Sequence, residues 1–458
     1  CQLSKLYAYN GLMFSRGTRV DGIRIDRKHR VIVIDNPRKK AERMSVITLQ
    51  KGEEPGSFHR VETLEDVDIT CFDGVGLISK EYAETVDKAL CGDHTHTSFQ
   101  IRMPYIKGML HQVDFKDFLR RSGTQTIVDI WGKTHPVNSV DIILTRSQFK
   151  AYGWLQENHM TWEDYWDAFR EYNHALYITN LSKTAPEELV ELNYQFLSTL
   201  SIHPEEFRPA DLPKGWNHSP EEDSRQWLTK ATETAYYNFC ANDDYRRMYF
   251  RQGLRQPRGS RAYIMARVLE KNPSFIREPI YAEQLDAQAK KILKGYAVGR
   301  LLVPGDNRFL SGDLLELLRQ LISPRILQMP GERAFCEQVQ RDFFAEDSFF
   351  APGAAYKHRD SCTLLRNPHI ARNEELQLSV HSEGDGLRQQ YLGYLTDVVM
   401  VSADSLAAER LGGADYDGDL IKTIADPIVN RCVKRNYDYD TYQQFSNNTN
   451  LPLLKIPT

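Results

Sequence analysis

Three aspartates, Asp415, Asp417 and Asp419, alternate within Ala414-Asp415-Tyr416-Asp417-Gly418-Asp419, and a loop of that pattern can turn three carboxylates toward one divalent cation. A small hard ion such as Mg²⁺ takes oxygen ligands in tight octahedral geometry, retains several waters and shares its shell with substrate phosphates. The pattern therefore suits phosphoryl or nucleotidyl transfer. Asp415, Asp417 and Asp419 are the candidate metal ligands, with Mg²⁺ as the expected ion and Mn²⁺ as its substitute. On these residues alone, a calcium loop and a solvated acidic turn are the alternatives. An EF-hand loop carries its glycine at position 6, whereas Gly418 is the fourth residue counted from Asp415.

Short elements must hold those acids in place. Gly412-Gly413 reads as a turn and Leu420–Ile424 as a strand, so the acids sit on a tight loop entering a strand. Upstream, apolar runs at Arg30–Ile34, Thr126–Ile130 and Val140–Leu144 predict strands, with turns at Asp73-Gly74 and Lys107-Gly108. The pattern then becomes helical. Thr161 is a candidate N-cap for Trp162, Tyr165, Trp166, Phe169 and Tyr172; Thr184 and Glu187 predict a capping box ahead of Leu189, Val190, Leu192, Phe196 and Leu197. Ser219-Pro220 opens a further helix. Strand character returns in Tyr296–Val303 and Asp397–Val401, interrupted by a helix from Ser311 to Leu321.

A chain of 458 residues exceeds one ordinary core. No apolar run approaches a membrane span, and the N-terminus lacks the pattern of a secretory signal. The chain starts at Cys1, which suggests a segment of something longer. Seven scattered cysteines without a CxxC pair predict reduced thiols and an intracellular protein, in cytoplasm or nucleus. Cys91, His94 and His96 imitate zinc ligands, but no fourth ligand is spaced to complete the set, so a polar loop is the reading. The net charge of −4 does not advertise nucleic-acid binding; what matters is where the positive charge lies. Two stretches are basic, Arg16 to Arg43 and Arg246 to Arg261. The second interleaves Arg246, Arg247, Arg251, Arg255, Arg258 and Arg261 with Tyr245, Tyr249 and Phe250, a mixture suited to phosphate contacts and base stacking. A solvated basic face is the plainer alternative.

The order Arg366-Asn367-Pro368, Asp397–Met400 and Gly412–Asp419 resembles the catalytic double-psi β-barrel of cellular RNA-dependent RNA polymerases of the RNA-silencing type, relatives of the multisubunit RNA polymerases. Cys71–Ser79, Gln100-Ile101-Arg102, Lys107-Gly108 and Arg146–Lys150 resemble the companion barrel, whose two lysines face the same active site. The resemblance implies an α+β fold, two double-psi β-barrels joined by a mainly helical connector. The segments are then 1–64, β-rich and basic; 65–155, the first, lysine-bearing barrel; 156–289, the connector; 290–435, the second, catalytic barrel; and 436–458, a tail. It also implies that Lys107 and Lys150 act at the reacting phosphates and that Arg366 faces the sugar of an incoming nucleotide. One departure touches template choice. Ala414 separates the glycine pair from the first acid, as in DNA-templated relatives.

The chemistry is consistent with that reading. Extension of RNA needs a deprotonated 3′-hydroxyl aligned on an α-phosphate and a neutralised pyrophosphate leaving group, for which two metal ions and fixed positive charge are suited. The implied partners are ribonucleoside triphosphates, an RNA product and a template, RNA first and DNA, as in single-chain phage or bacterial enzymes, second; no membrane is implied. The rivals are a non-catalytic nucleic-acid-binding remnant and a metal-dependent nuclease, the latter having no need of a lysine-bearing companion unit. The chain ends soon after the acids, which suggests a core fragment.

Overall fold

The computed structural model describes residues 17–25, 30–69, 71–90, 96–168, 175–183, 187–200, 220–322, 330–342, 345–354, 356, 360–369, 374–381, 386–438 and 453–455. In the N-terminal part the strands are β1 (Thr18–Arg24), β2 (Val31–Ile34), β3 (Lys39–Lys51), β4 (Phe58–Ile69), β5 (Val75–Ile78), β6 (Ser98–Met103), β7 (Ile106–Gln112), β8 (Thr126–Val128), β9 (Thr134–Pro136), β10 (Ile142–Thr145) and β11 (Ala175–Leu181). The C-terminal part has β12 (Leu189–Glu191), β13 (Leu302–Gly312), β14 (Ser348–Phe350), β15 (Ser361–Arg366), β16 (Leu376–Val380), β17 (Val398–Val401), β18 (Leu420–Ile424) and, near the end, β19 (Leu453–Lys455).

The second unit closes into a six-stranded barrel. Its ring runs β13-β17-β14-β16-β15-β18 and returns to β13, with parallel pairs β13–β17 and β14–β16. Closure is possible because β13 is long: Gly305–Phe309 pair with β18 and Phe309–Gly312 with β17. The first unit follows the same order. Its sheet runs β1-β11-β6-β7-β5-β10-β2, again with two parallel pairs, β10–β2 and β5–β7. Here β1 takes the ladder with the last strand and β2 the ladder with the fifth, so together they do the work of β13. The chain is therefore α+β with the same double-psi ring traced twice, the first time through a broken opening strand. The ladders of the first ring extend from Thr18 to Leu181, wider than the 65–155 expected, because its opening and closing strands flank a long inserted β3–β4 hairpin and the helices after β10.

The two rings pack against each other. One apolar core joins Phe72, Val75 and Leu77 of the first to Leu310, Val398 and Tyr416 of the second. Their backbones meet closely at Gly312, where an added Cβ would lie 2.1 Å from the Cys71 carbonyl oxygen. Between the rings, the helices Pro220–Ala241, Asp243–Arg251, Arg261–Lys271 and Pro279–Ala297 bury their own cluster of Phe239, Phe250, Leu269, Tyr281 and Leu285. No described helix is long and apolar enough to cross a membrane.

Several local expectations changed. Leu189–Glu191 is a strand rather than helix, since its backbone finds partners on β13; Thr184 lies outside the described residues, and the helix there is only Tyr194–Thr199, capped by Asn193. The helix Pro279–Ala297 runs through Tyr296 and stops at Gly299, whose φ of 77° suits a helix terminus, so strand begins only at Leu302. Lys107-Gly108 lies inside β7; the turn before it contains Tyr105, with φ of 56°. Thr161 does cap Trp162–Ala168, exchanging hydrogen bonds with Asp164; Phe169 and Tyr172 lie outside the described residues.

Candidate active site

Gly412 and Gly413, with φ of 68° and 67°, reverse the chain after the short helix Ala407–Arg410 and deliver the three acids to the start of β18. The loop is tied from both barrels. Within its own barrel, Leu310 N–H donates to the Asp419 carbonyl at 3.0 Å, and Arg366 Nε at the end of β15 lies 2.8 Å from Asp419 Oδ2. Arg366 also donates to the Gly412 carbonyl at 3.3 Å, and Asp415 N–H donates to Asp419 Oδ2 at 3.0 Å.

From the first barrel, Lys107 Nζ lies 2.5 Å from Asp417 Oδ2, a charge-assisted contact across the interface. The Tyr416 N–H donates to the Asp73 carbonyl at 3.0 Å, and Gln100 Nε2 donates to the Asp417 carbonyl at 3.0 Å. Gly74 is obligatory in this arrangement: its φ is 92°, and an added Cβ would lie 2.5 Å from Asp417 Cβ.

Carboxylates gathered on so short a loop disturb one another. The Asp415 carboxyl is pushed above its usual 3.8, first by loss of surrounding solvent, then by repulsion from Asp417, Asp73 and Asp419, with Lys107 opposing. Two of the three acids are instead drawn to fixed cations, Asp417 to Lys107 and Asp419 to Arg366. As a result, among the described residues no group of three His, Cys, Asp or Glu is gathered to hold a metal ion. The loop presents the three carboxylates as a neighbourhood of hard oxygen donors, turned in part toward lysine and arginine. In chemistry the donor set suits a hard divalent cation.

The pKa of Asp415 sets a testable sign. A carboxyl whose folded pKa is raised costs stability once ionised, and the cost develops as pH rises from the unfolded value through the folded one. Asp415→Asn should therefore raise the melting midpoint at pH 7 in chelator, with the difference fading below the usual 3.8. An equal or lower midpoint at neutral pH refutes the raised pKa.

A family model described as RNA dependent RNA polymerase matches residues 2–205, which contain the first barrel and its lysines. This chain is similar to the RNA-dependent RNA polymerases. The DNA-directed RNA polymerase YonO of Bacillus phage SPbeta is 23% identical over 348 residues, covering 74% of this chain and 35% of the phage protein. Among solved structures, the RNA dependent RNA polymerase QDE-1 from Thielavia terrestris aligns with a TM-score of 0.49 and 15% identity, over 93% of this chain and 38% of that one. The chain spans little more than a third of the length of either relative.

Against that RNA-dependent RNA polymerase likeness, the remaining candidate residues divide. Lys150 does not meet the acids directly; its side chain is exposed and lines a cleft of about 430 Å³ shared with Asp73, Arg146 and Arg38. Arg246 is spent on the connector itself, donating to the Phe239 carbonyl at 2.8 Å and pairing with Asp243 at 3.2 Å, and Arg247 pairs with Asp244. Arg251, Arg258 and Arg261 are exposed, while the side chain of Arg255 lies outside the described residues. Of the expected stacking aromatics, Phe250 is core and packs edge-on against Tyr281, while Tyr245 and Tyr249 are half-buried and pack edge-on against Phe239. His96 is buried and paired with Asp87 at 2.5 Å, as a structural histidine; Cys91 and His94 lie outside the described residues.

Gln100, Arg102, Asp73 and Gly74 were not singled out as site residues. Burial lowers the Arg102 pKa and the nearby Asp417 opposes that shift, which locates Arg102 beside the acids. One signal was present in the sequence. Gln100 and Arg102 alternate with Ser98 on one side of β6, opposite the buried Phe99 and Ile101, and polar residues at period two mark a face turned to a partner.

Proposed function

We propose that this chain is the two-barrel catalytic core of a single-chain RNA polymerase, a nucleotidyltransferase that extends RNA on an RNA template from ribonucleoside triphosphates. The observation that supports it most is the contact of Lys107 with Asp417, at 2.5 Å, because it joins the lysine of one barrel to the acids of the other. Asp415, Asp417 and Asp419 would hold Mg²⁺, or Mn²⁺ in its stead, which when bound activates the attacking 3′-hydroxyl and neutralises the departing pyrophosphate. Lys107 supplies fixed positive charge at the reacting phosphates, and Lys150 extends it into the adjoining cleft. Arg366 orients the sugar of the incoming nucleotide from its seat beside Asp419. Of the six candidate arginines, the exposed Arg251, Arg258 and Arg261 are the ones that would meet nucleic-acid phosphates. An intracellular setting accords with the thiols Cys71, Cys240, Cys336, Cys362 and Cys432.

A DNA template is the second reading, favoured by the phage DNA-directed relative, which aligns over 74% of this chain, and by Ala414 ahead of the acids. Primer extension by the protein on RNA and DNA templates of matched sequence decides between them. RNA-templated synthesis dependent on a divalent ion is the expected result. Synthesis on DNA alone selects the second reading. Binding of nucleic acid with no synthesis on either identifies a non-catalytic remnant, and degradation of the primer identifies a nuclease.

A further inference from the structure

Lys107 holds the Asp417 side chain, but another residue of the first barrel holds its backbone. Gln100 Nε2 donates to the Asp417 carbonyl at 3.0 Å, and Thr179 Oγ1 on β11 donates to Gln100 Oε1 at 2.7 Å. A peptide carbonyl only accepts, so the amide must turn its NH₂ toward Asp417 and its oxygen toward Thr179, whose hydroxyl donates to that oxygen and holds the side chain in place. The next residue makes room for it. Gly418 has φ of 128°, and a Cβ there would lie 2.0 Å from Gln100 Nε2. The glycine between the second and third acids is thus the place where a side chain of the other barrel reaches the loop backbone.

We propose that Gln100, oriented by Thr179, is a positioning residue for the acid loop: it sets the Asp417-Gly418 peptide so that the carboxylates on either side of it can meet on one divalent cation. The proposal rests on the polymerase reading for its purpose, though not for its geometry. Lys107 contributes charge and Gln100 contributes placement, and the two are separable because Gln100 carries no charge and touches no carboxylate. Thr179 is more remote still, reaching the loop only through Gln100.

The test uses the whole 458-residue chain and Mn²⁺ as probe, with binding followed by calorimetry and single-nucleotide addition followed in parallel. Thr179→Val keeps the shape and removes the hydroxyl; Gln100→Met keeps the length and removes the donor. Loss of an outer partner of a metal ligand typically lowers affinity by about 10–100-fold, and each variant should weaken Mn²⁺ by that order. Thr179→Ser should restore binding, and the double variant should lose little more than either single one, since both changes cut the same path. A merely structural role would lower the melting midpoint in chelator without the serine rescue or the non-additivity. Wild-type Mn²⁺ affinity in Thr179→Val, fully additive losses, or no Mn²⁺ binding by the wild type each overturns the proposal. If the wild type binds Mn²⁺ and makes no RNA on any template, the polymerase reading fails while the binding series still judges the relay. If it makes RNA and the variants bind and extend as well as it does, the relay fails alone.

Discussion

Asp417→Asn should abolish RNA extension and leave the fold intact. Asp417 is the acid that the first barrel holds at three points, its carboxylate by Lys107, its carbonyl by Gln100 and its Cβ against Gly74. Asparagine keeps the shape and every backbone contact while removing the negative charge. A metal-bound charge supplies several kcal/mol of transition-state stabilisation; at about 4 kcal/mol the rate should fall roughly a thousandfold. Single-nucleotide addition at saturating template, with the melting midpoint measured beside it, checks the claim. Undiminished synthesis assigns the chemistry elsewhere. A large fall in melting midpoint, matched to the fall in rate, makes the residue structural.

Lys107→Ala is expected to have the next largest effect, on rate and not on template affinity. Positive charge fixed beside a site of developing negative charge strengthens toward the transition state, and loss of one such group costs about 10²–10³ in turnover. The same change at Lys150 should cost less, because that lysine lines the adjoining cleft and does not meet the acids. Measured against salt, template affinity should be little altered in Lys107→Ala. A variant that loses affinity alone, with its addition rate preserved, makes the first barrel a binding surface and ends the two-barrel active site.

How much of this was legible in the residues depended on how local the cause was. Leu420–Ile424, Val31–Ile34 and Asp397–Val401 read correctly as strands because apolar runs bounded by glycine or polar residues carry their own signal. Leu189–Glu191 did not, since only its partner β13 makes it a strand. The acids could be singled out by type and spacing, Lys107 and Arg366 only through the family resemblance, and in the structure these residues lie together. Their mutual arrangement could not be read: that Asp417 and Asp419 turn to Lys107 and Arg366 depends on charges 310 and 53 positions away in sequence. Phe250, which is buried in the connector's core, could not be told apart from a surface aromatic for the opposite reason. Aromatics at helical spacing fit a stacking surface and a helical core equally well, and burial alone separates the two.

The doubled ring has a consequence for where this protein is vulnerable. One copy of the topology carries the anions and the other the lysines, so in the proposed polymerase neither ring would own a complete site, and the working unit would be the seam between them. Fidelity of charge placement then becomes a matter of how closely two backbones approach. Gly312, which carries no charge and belongs to no motif, lies on that seam with the Cys71 carbonyl where its Cβ would be. A single methyl group there would wedge the two halves apart and part lysine from aspartate without touching either.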